Sequence, residues 1–269
     1  NIVGDFMNDF KFKKKFGQNF LVYINIVKKI VSDINVKPNS LVIEIGCGDG
    51  KLTKFLCQKF DKVLGYEIDL DVKDRLLSNL ECYDNVDIIF KDFLDCNIID
   101  DLKNYSYDSL YVIANLPYYI TTPIIEKLIE LDFSFELVRI MVQKEVGDRF
   151  CAKIGSKDYG SFTVFLNYNF DVKKNFIVSR NSFYPRPNVD SMIVSLMTKD
   201  KIFVKDKKFF YNLVYDSFKF KRKTIRNNLK GYDLNTIANV LSRHGFDLTV
   251  RAENLSVDIF CEIANELCI

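Results

Sequence analysis

The sequence predicts an α/β protein: a Rossmann-like, mostly parallel sheet with an antiparallel pair at one edge, followed by a small helical domain. Three observations predict it. Over roughly the first 150 residues, short β-rich apolar runs alternate with stretches of helical periodicity, the pattern of βαβ units and a parallel sheet. The first of these runs ends in a glycine loop that leads straight into a helix. From about residue 205 onward the periodicity is helical only. The expected division is therefore 1–200 for the α/β domain and 201–269 for the helical one.

Each element can be justified in turn. From residue 18 to about 34, QNFLVYINIVKKIVSDI has apolar residues at helical spacing with lysines on the other face. KPNS punctuates it, and LVIEIGCGDG is a short apolar strand ending in glycines. KLTKFLCQKF resumes helical periodicity, KVLGYEID is a second strand closing in acids, and VKDRLLSNL is another helix. VDIIFKD and DSLYVIANLP supply two more strands. TTPIIEKLIEL opens a helix, with Thr122 as N-cap and Pro123 at the first helical position. FELVRIMVQ is a fifth strand, and helix resumes at Lys144. DVKKNFIVSR and VDSMIVSLM then flank FYPRPN, two strands joined by a proline-rich loop, which suits an antiparallel edge.

Composition narrows the function classes. With 48% hydrophobic and 28% charged residues, the 269-residue chain reads as an ordinary globular protein. No apolar run is long enough for a membrane helix, and no apolar signal core opens the sequence, so a cytoplasmic location is expected. The seven cysteines are scattered, odd in number and without a CxxC pair, which argues against a zinc site or a disulfide framework and for buried thiols. His244 is the only histidine; in SRHGF it reads as a helix C-terminus, not as a catalytic base. Net charge is only +2, yet two basic clusters stand out, KFKKKFG at 11–17 and KFKRKTIRNNLK at 219–230, both interleaved with phenylalanine. Solvated helix faces explain most such runs. Two with almost no acid among them also suit a polyanion such as RNA, with Lys13, Lys14, Lys15, Lys219, Lys221, Arg222, Lys223 and Arg226 as contacts.

The motifs carry the chemistry. EIGCGDG places Gly46, Gly48 and Gly50 between strand and helix, where a ligand can lie against the backbone. Its spacing is GxGxG, not the GxGxxG of dinucleotide sites, and no Gly-Lys-Ser/Thr follows as in a P-loop. The spacing suits S-adenosylmethionine; taken alone, the loop also reads as a structural turn. Glu67, about twenty residues further on, sits where a carboxylate accepts both hydroxyls of a ribose. Asp92 closes the next strand, within reach of an adenine amine. Singly, each acid could be a solvated turn residue. Together they mark the carboxyl ends of successive strands, where open α/β sheets bind ligands.

NLPY, Asn115 to Tyr118, ends the fourth strand. A turn explains Asn and Pro but not the tyrosine, and a flat base explains all of them. The lone pair of an exocyclic base amine is delocalised into the ring. The Asn115 carboxamide oxygen and the Leu116 carbonyl could each accept one N–H and draw the nitrogen towards a tetrahedral shape. Pro117 stiffens the turn, and Tyr118 offers a face for stacking.

With these residues in view, the chain resembles the ribosomal RNA adenine N6-dimethyltransferases, most closely the small-subunit type. The resemblance runs nearly end to end through KKKFGQNFL, EIGCGDGKLT, GYEID, DFLD, NLPYYITTPI, VQKEVGDR, YGSFTV, FYPRPNVDS and KRKTIRNNL. It implies an S-adenosylmethionine-dependent methyltransferase fold and dimethylation of two adjacent adenosines in a hairpin loop near the 3′ end of small-subunit (16S) rRNA. It further implies S-adenosyl-L-methionine as methyl donor with no metal, an immature small ribosomal subunit as partner, and a monomer. Cofactor positions carried over are Gln18, Asn19, Leu21, Gly46, Gly48, Glu67, Asp92 and Asn115. Phe183 matches the aromatic that helps sandwich the target base. The sequence departs from the family at Tyr119, where Asn is more frequent, and at Cys47, where Pro or Ala is common.

Two other readings compete. A large-subunit (23S) enzyme of the antibiotic-resistance type shares the first domain, and the tail FKFKRKTIRNNL with RAENLSVDIF separates them in favour of the small subunit. A ribosome assembly factor with catalysis secondary is the other; the intact glycine loop and NLPY argue against a purely structural role.

Overall fold

The computed structural model describes residues 20–21, 23–116 and 120–268. Its elements run β1 (Phe20–Leu21), α1 (Ile24–Ser32), β2 (Ser40–Ile45), α2 (Lys51–Lys59), β3 (Lys62–Tyr66), α3 (Lys73–Leu80), β4 (Val86–Ile89) and α4 (Ile98–Leu102). Then come β5 (Ser109–Asn115), α5 (Thr121–Leu131), β6 (Phe135–Gln143), α6 (Lys144–Phe150), α7 (Ser161–Asn169), β7 (Phe170–Val178), β8 (Phe183–Tyr184) and β9 (Ser191–Thr198). The chain continues through α8 (Lys207–Phe218), α9 (Ile225–Asn228), α10 (Leu234–Arg243) and α11 (Val257–Leu267).

A seven-stranded sheet has the order β4-β3-β2-β5-β6-β9-β7. The β2–β3, β3–β4, β2–β5 and β5–β6 pairs are parallel, and β9 runs antiparallel to β6; β7 and β9, the strands that flank the proline-rich loop, are neighbours at that edge. Every residue of β2 is buried, as expected of a strand covered on both faces. The strand order reverses between β2 and β5, and the region beyond the carboxyl ends at such a reversal is where doubly wound sheets take ligands.

Helix α1 starts later than the periodicity suggested, because its approach is a strand: β1 pairs antiparallel with β8, Leu21 opposite Phe183. Its C-terminal carbonyls are held by cations. The Arg139 guanidinium donates to Ile30 O at 2.7 Å and to Asp33, while the Lys59 ammonium donates to Val31 O and Ser32 O. These groups satisfy carbonyls that have no intrahelical donor and complement the negative end of the helix dipole. Arg139, buried on β6, is completed by the Ser195 hydroxyl at 3.1 Å, which donates in turn to Asn175.

The structure corrects two further expectations. The N-cap of α5 is Ile120, not Thr122, so Pro123 falls third in the helix. First-turn amides lack intrahelical acceptors throughout, so a proline there does not fix the register. The chain also divides differently from a single cut at residue 200. One compact unit runs through Gly147 and resumes at Lys173–Met197; the other comprises Asp148–Val172 and the chain from Thr198. The cause is α7, whose Val164 and Tyr168 share one apolar core with Phe210, Leu213, Ile237 and Phe260.

Among the described residues no helix is long and apolar enough to cross a membrane. Of the cysteines, Cys47, Cys57, Cys96 and Cys261 are buried, Cys151 and Cys268 half-buried, and Cys82 exposed, so burial holds for part of the set only. His244 caps α10, its Nε2 lying 2.6 Å from Glu262 Oε2.

Candidate active site

The glycine loop is built around backbone angles that side chains resist. Gly46 and Gly50 both have φ of +82°, in the left-handed region that glycine adopts freely. At Gly46 space is also closed: a Cβ there would stand 3.3 Å from the Asn115 carbonyl oxygen. The end of β2 and the end of β5 thus touch at the point where the strand order reverses. The Gly46 amide donates to Tyr66 O at 2.8 Å, which ties the loop to β3 as well.

Glu67 follows β3 and completes this link. Its Oε2 accepts the Gly48 amide at 2.7 Å and its Oε1 the Asp69 amide at 2.8 Å. Burial pushes the Glu67 carboxyl above the usual range, and the two backbone donors oppose that shift. A carboxylate has about four lone-pair sites, so each oxygen retains capacity for a further donor such as a ribose hydroxyl. The backbone turn after β4 positions Asp92, whose Oδ1 accepts the Leu94 amide at 2.9 Å and so caps a single 3₁₀ turn.

The segment before α1 comes to the same place. The Lys51 ammonium, at the start of α2, lies 3.4 Å from Leu21 O and 3.3 Å from Asp49 Oδ2. Leu21 is buried with Val27, Leu52 and Phe183 in one apolar cluster. Gly46, Gly48, Glu67 and Asn115 are therefore brought together by direct contacts and shared elements, with Leu21 tied to the start of α2 and Asp92 at the same end of the sheet. Asn115 is half-buried at the end of β5, and Leu116 is buried. Phe183 keeps only 4% of its surface, whereas Tyr184 beside it keeps 36%. Gln18, Asn19, Pro117 and Tyr118 lie outside the described residues, as do Tyr119 and Lys13, Lys14 and Lys15.

Two buried residues beside the loop bear on its surroundings, Glu44, which sequence reasoning did not single out, and Cys47, which it marked as a departure from the family. Glu44, in β2, is fully buried, and neither carboxylate oxygen has a hydrogen-bond partner; the nearby Thr53 hydroxyl is likewise unpaired. Burial pushes the Glu44 carboxyl up to about 8, against the lowering effect of the adjacent Thr53 hydroxyl and Cys47 thiol and with the charges of Glu67 and Asp49 adding to the rise. The signal was an acid inside the otherwise apolar LVIEI. Cys47 is the other. Its thiol packs on Leu76 and Leu80 over Gly65, where a Cβ would meet the sulfur at 2.5 Å. Burial raises that thiol well above its ordinary range, so Cys47 acts as a small apolar residue, as Pro or Ala would.

Among the described residues no group of three or more His, Cys, Asp or Glu side chains is arranged to hold a metal ion. In the helical unit, Lys219, Lys221, Arg222 and Lys223 are exposed on the turn between α8 and α9, and Arg226 is exposed on α9.

Comparison with known proteins bears on this arrangement. A family described as ribosomal RNA adenine dimethylase matches residues 9–268. Among curated proteins, ribosomal RNA small subunit methyltransferase A of Bacillus cytotoxicus is 40% identical over 96% of this chain and 92% of its own length. The protein of that name from Clostridium botulinum is 39% identical over 96% and 94%. Among solved structures, a dimethyladenosine transferase from Plasmodium falciparum superposes with a TM-score of 0.78 at 28% identity, covering 91% of this chain and 95% of that one. The 23S rRNA methyltransferase ErmE superposes with a TM-score of 0.72 at 22% identity over 93% and 99%, a likeness of fold.

Proposed function

Since the chain belongs to the ribosomal RNA adenine dimethylase family, we propose that it dimethylates N6 of two adjacent adenosines near the 3′ end of small-subunit rRNA. S-adenosylmethionine is the donor in this reading. The curated relatives are named for the small subunit, and the basic tail after α8 agrees with them. The observation that carries the reading is the contact of Gly46 with the Asn115 carbonyl, which sets the glycine loop against the start of NLPY at the sheet's switch point.

The residues fit the donor. Glu67 keeps acceptor capacity for a ribose and Asp92 for an adenine amine, and the glycine loop presents backbone without side chains at Gly46 and Gly48. When bound, the donor supplies a methyl group on a positively charged sulfur. The protein's share is placement. The target adenosine leaves its stack and enters the site, as enzymes acting on bases require. The Asn115 carboxamide oxygen accepts one N–H of the N6 amine and the Leu116 carbonyl the other, which localises the lone pair towards the methyl carbon. The donor would supply its methyl group from sulfur to the nitrogen so held, and the amine's surplus proton would pass to water. Holding the two reactants in line supplies most of the acceleration. Tyr118 and an aromatic of the Phe183–Tyr184 strand flank the base. A second cycle repeats the step on the monomethylated amine. The basic residues hold phosphates without reading sequence.

Incubation with tritiated S-adenosylmethionine and immature small subunits, beside unmodified large subunits, tests this. Labelled dimethyladenosine from small subunits alone is the expected result. Label in the large subunit alone would overturn the substrate, and no label from protein that still binds the donor would overturn the catalytic reading.

A further inference from the structure

The end of α8 carries two phenylalanines and treats them oppositely. Phe218 turns inward, with ring centroids 6.1 Å from Tyr159 and 5.9 Å from Phe260. Phe220 stays outside and keeps 57% of its surface exposed. The turn that displays it is well ordered by hydrogen bonds. The Asn228 carboxamide oxygen accepts the Phe220 amide at 3.2 Å, while its nitrogen donates to Ser217 O at 2.7 Å and Phe220 O at 3.3 Å. The Lys223 amide donates to Phe220 O at 2.8 Å. Phe220 is thus held out on a fixed backbone, not left at a frayed end.

Its surroundings are cationic. Lys219, Lys221, Arg222 and Lys223 are all exposed, and none forms an ion pair among the described residues. One turn back on α8, Tyr215 keeps 63% of its surface and lies four residues from Lys219, on the same helix face. Cations alone suffice to hold a duplex backbone; an apolar ring among them adds nothing to that task. An unpaired nucleotide presents a phosphate and a bare π-face together, which is what aromatic platforms in basic grooves recognise.

We propose that Phe220, flanked in sequence by the exposed Lys219, Lys221, Arg222 and Lys223, is a stacking platform for an unpaired RNA nucleotide other than the target adenosine, with Tyr215 as a second ring. The proposal rests on the rRNA substrate assigned above. It divides the labour of the tail: lysines and arginine hold phosphate, and Phe220 selects segments whose bases are unpaired.

The chain has no tryptophan, so Phe220→Trp introduces a single indole at the platform. Its emission is followed during titration with immature small subunits, a single-stranded oligoadenylate, an RNA duplex of equal length, anionic lipid vesicles and polyglutamate. Quenching by the subunits and the single strand, but not by the duplex, is expected. Phe220→Ala should weaken binding to immature subunits about 5- to 100-fold, in keeping with loss of one base stack, with an unchanged salt slope, and Phe220→Tyr should restore it. Subunits that bind without altering the indole, or a Phe220→Ala variant that binds like the parent, would overturn the platform. So would a response to vesicles or polyglutamate alone, which would assign the ring to a membrane or a protein. Label transfer by the parent protein is measured in the same preparation: methylation without an indole response defeats this inference only, whereas absent methylation defeats the substrate assignment.

Discussion

Glu67 Oε2 accepts the Gly48 amide at 2.7 Å, so the acid that would hold a ribose also fixes the loop that would hold the donor's amino-acid end. Glu67→Ala removes an acceptor from two backbone amides at once and should lower donor affinity on the order of 10- to 100-fold, the scale of hydrogen bonds to a charged group. Calorimetric titration with S-adenosylhomocysteine measures this. Undiminished affinity would place the ribose elsewhere.

Asn115 lies beside the loop through its carbonyl, and in the proposed mechanism its carboxamide would meet the base. Asn115→Ala should therefore bind the donor within about threefold of the parent while turnover falls about 10²–10³-fold, the scale for loss of one preorganised polar contact in a transition state. Single-turnover methylation separates the two effects. A variant that turns over normally would remove Asn115 from the chemistry.

Glu44 predicts an unusual pH dependence. Its carboxyl titrates near 4.5 when unperturbed and is pushed to about 8 in the fold. Between these values the folded chain keeps a proton that the unfolded chain has lost. Its stabilising contribution is thus complete below about 4.5 and declines as pH rises to about 8. Glu44→Gln, which mimics the protonated acid, should melt with the parent at pH 5 and several degrees above it at pH 8. Thermal denaturation across that range decides, and parallel curves for the two proteins would show that Glu44 is ionised in the fold.

The tail's cations should act through phosphate. Replacing Lys221, Arg222 and Lys223 together by Ala should reduce the slope of log affinity against log salt by about 2, near 0.7 per contact for single strands. Filter binding at several salt concentrations measures it. An unchanged slope would mean that these cations do not meet the RNA.

The sheet was legible in the sequence because each parallel strand is a short apolar run bounded by turn residues, and so was the placing of Gly46, Glu67, Asp92 and Asn115 at strand ends. What escaped was set by partners distant in sequence. Two-residue strands such as Phe20–Leu21 have no periodicity, and their identity comes from pairing with Phe183–Tyr184. Thr122 looked like a cap because Pro123 follows it, yet proline is tolerated anywhere in the first turn. Glu44 stood in plain view, but only the fold shows both its oxygens unpaired. Phe183 entered by resemblance alone, and the structure buries it, so comparing Phe183→Leu with Tyr184→Leu is the direct way to ask which ring meets the base.

The path of the chain through its two units limits how such a protein could be rebuilt. Residues 148–172 belong with the helices that begin after Thr198, while the segment Lys173–Met197 between them belongs to the unit that holds the glycine loop. A hybrid that grafts only the last third of a relative onto this sheet would set Val164 and Tyr168 against a foreign lining where they now meet Phe210 and Leu213. Exchanging this unit intact therefore requires two discontinuous pieces moved together, which makes it hard to swap as a cassette.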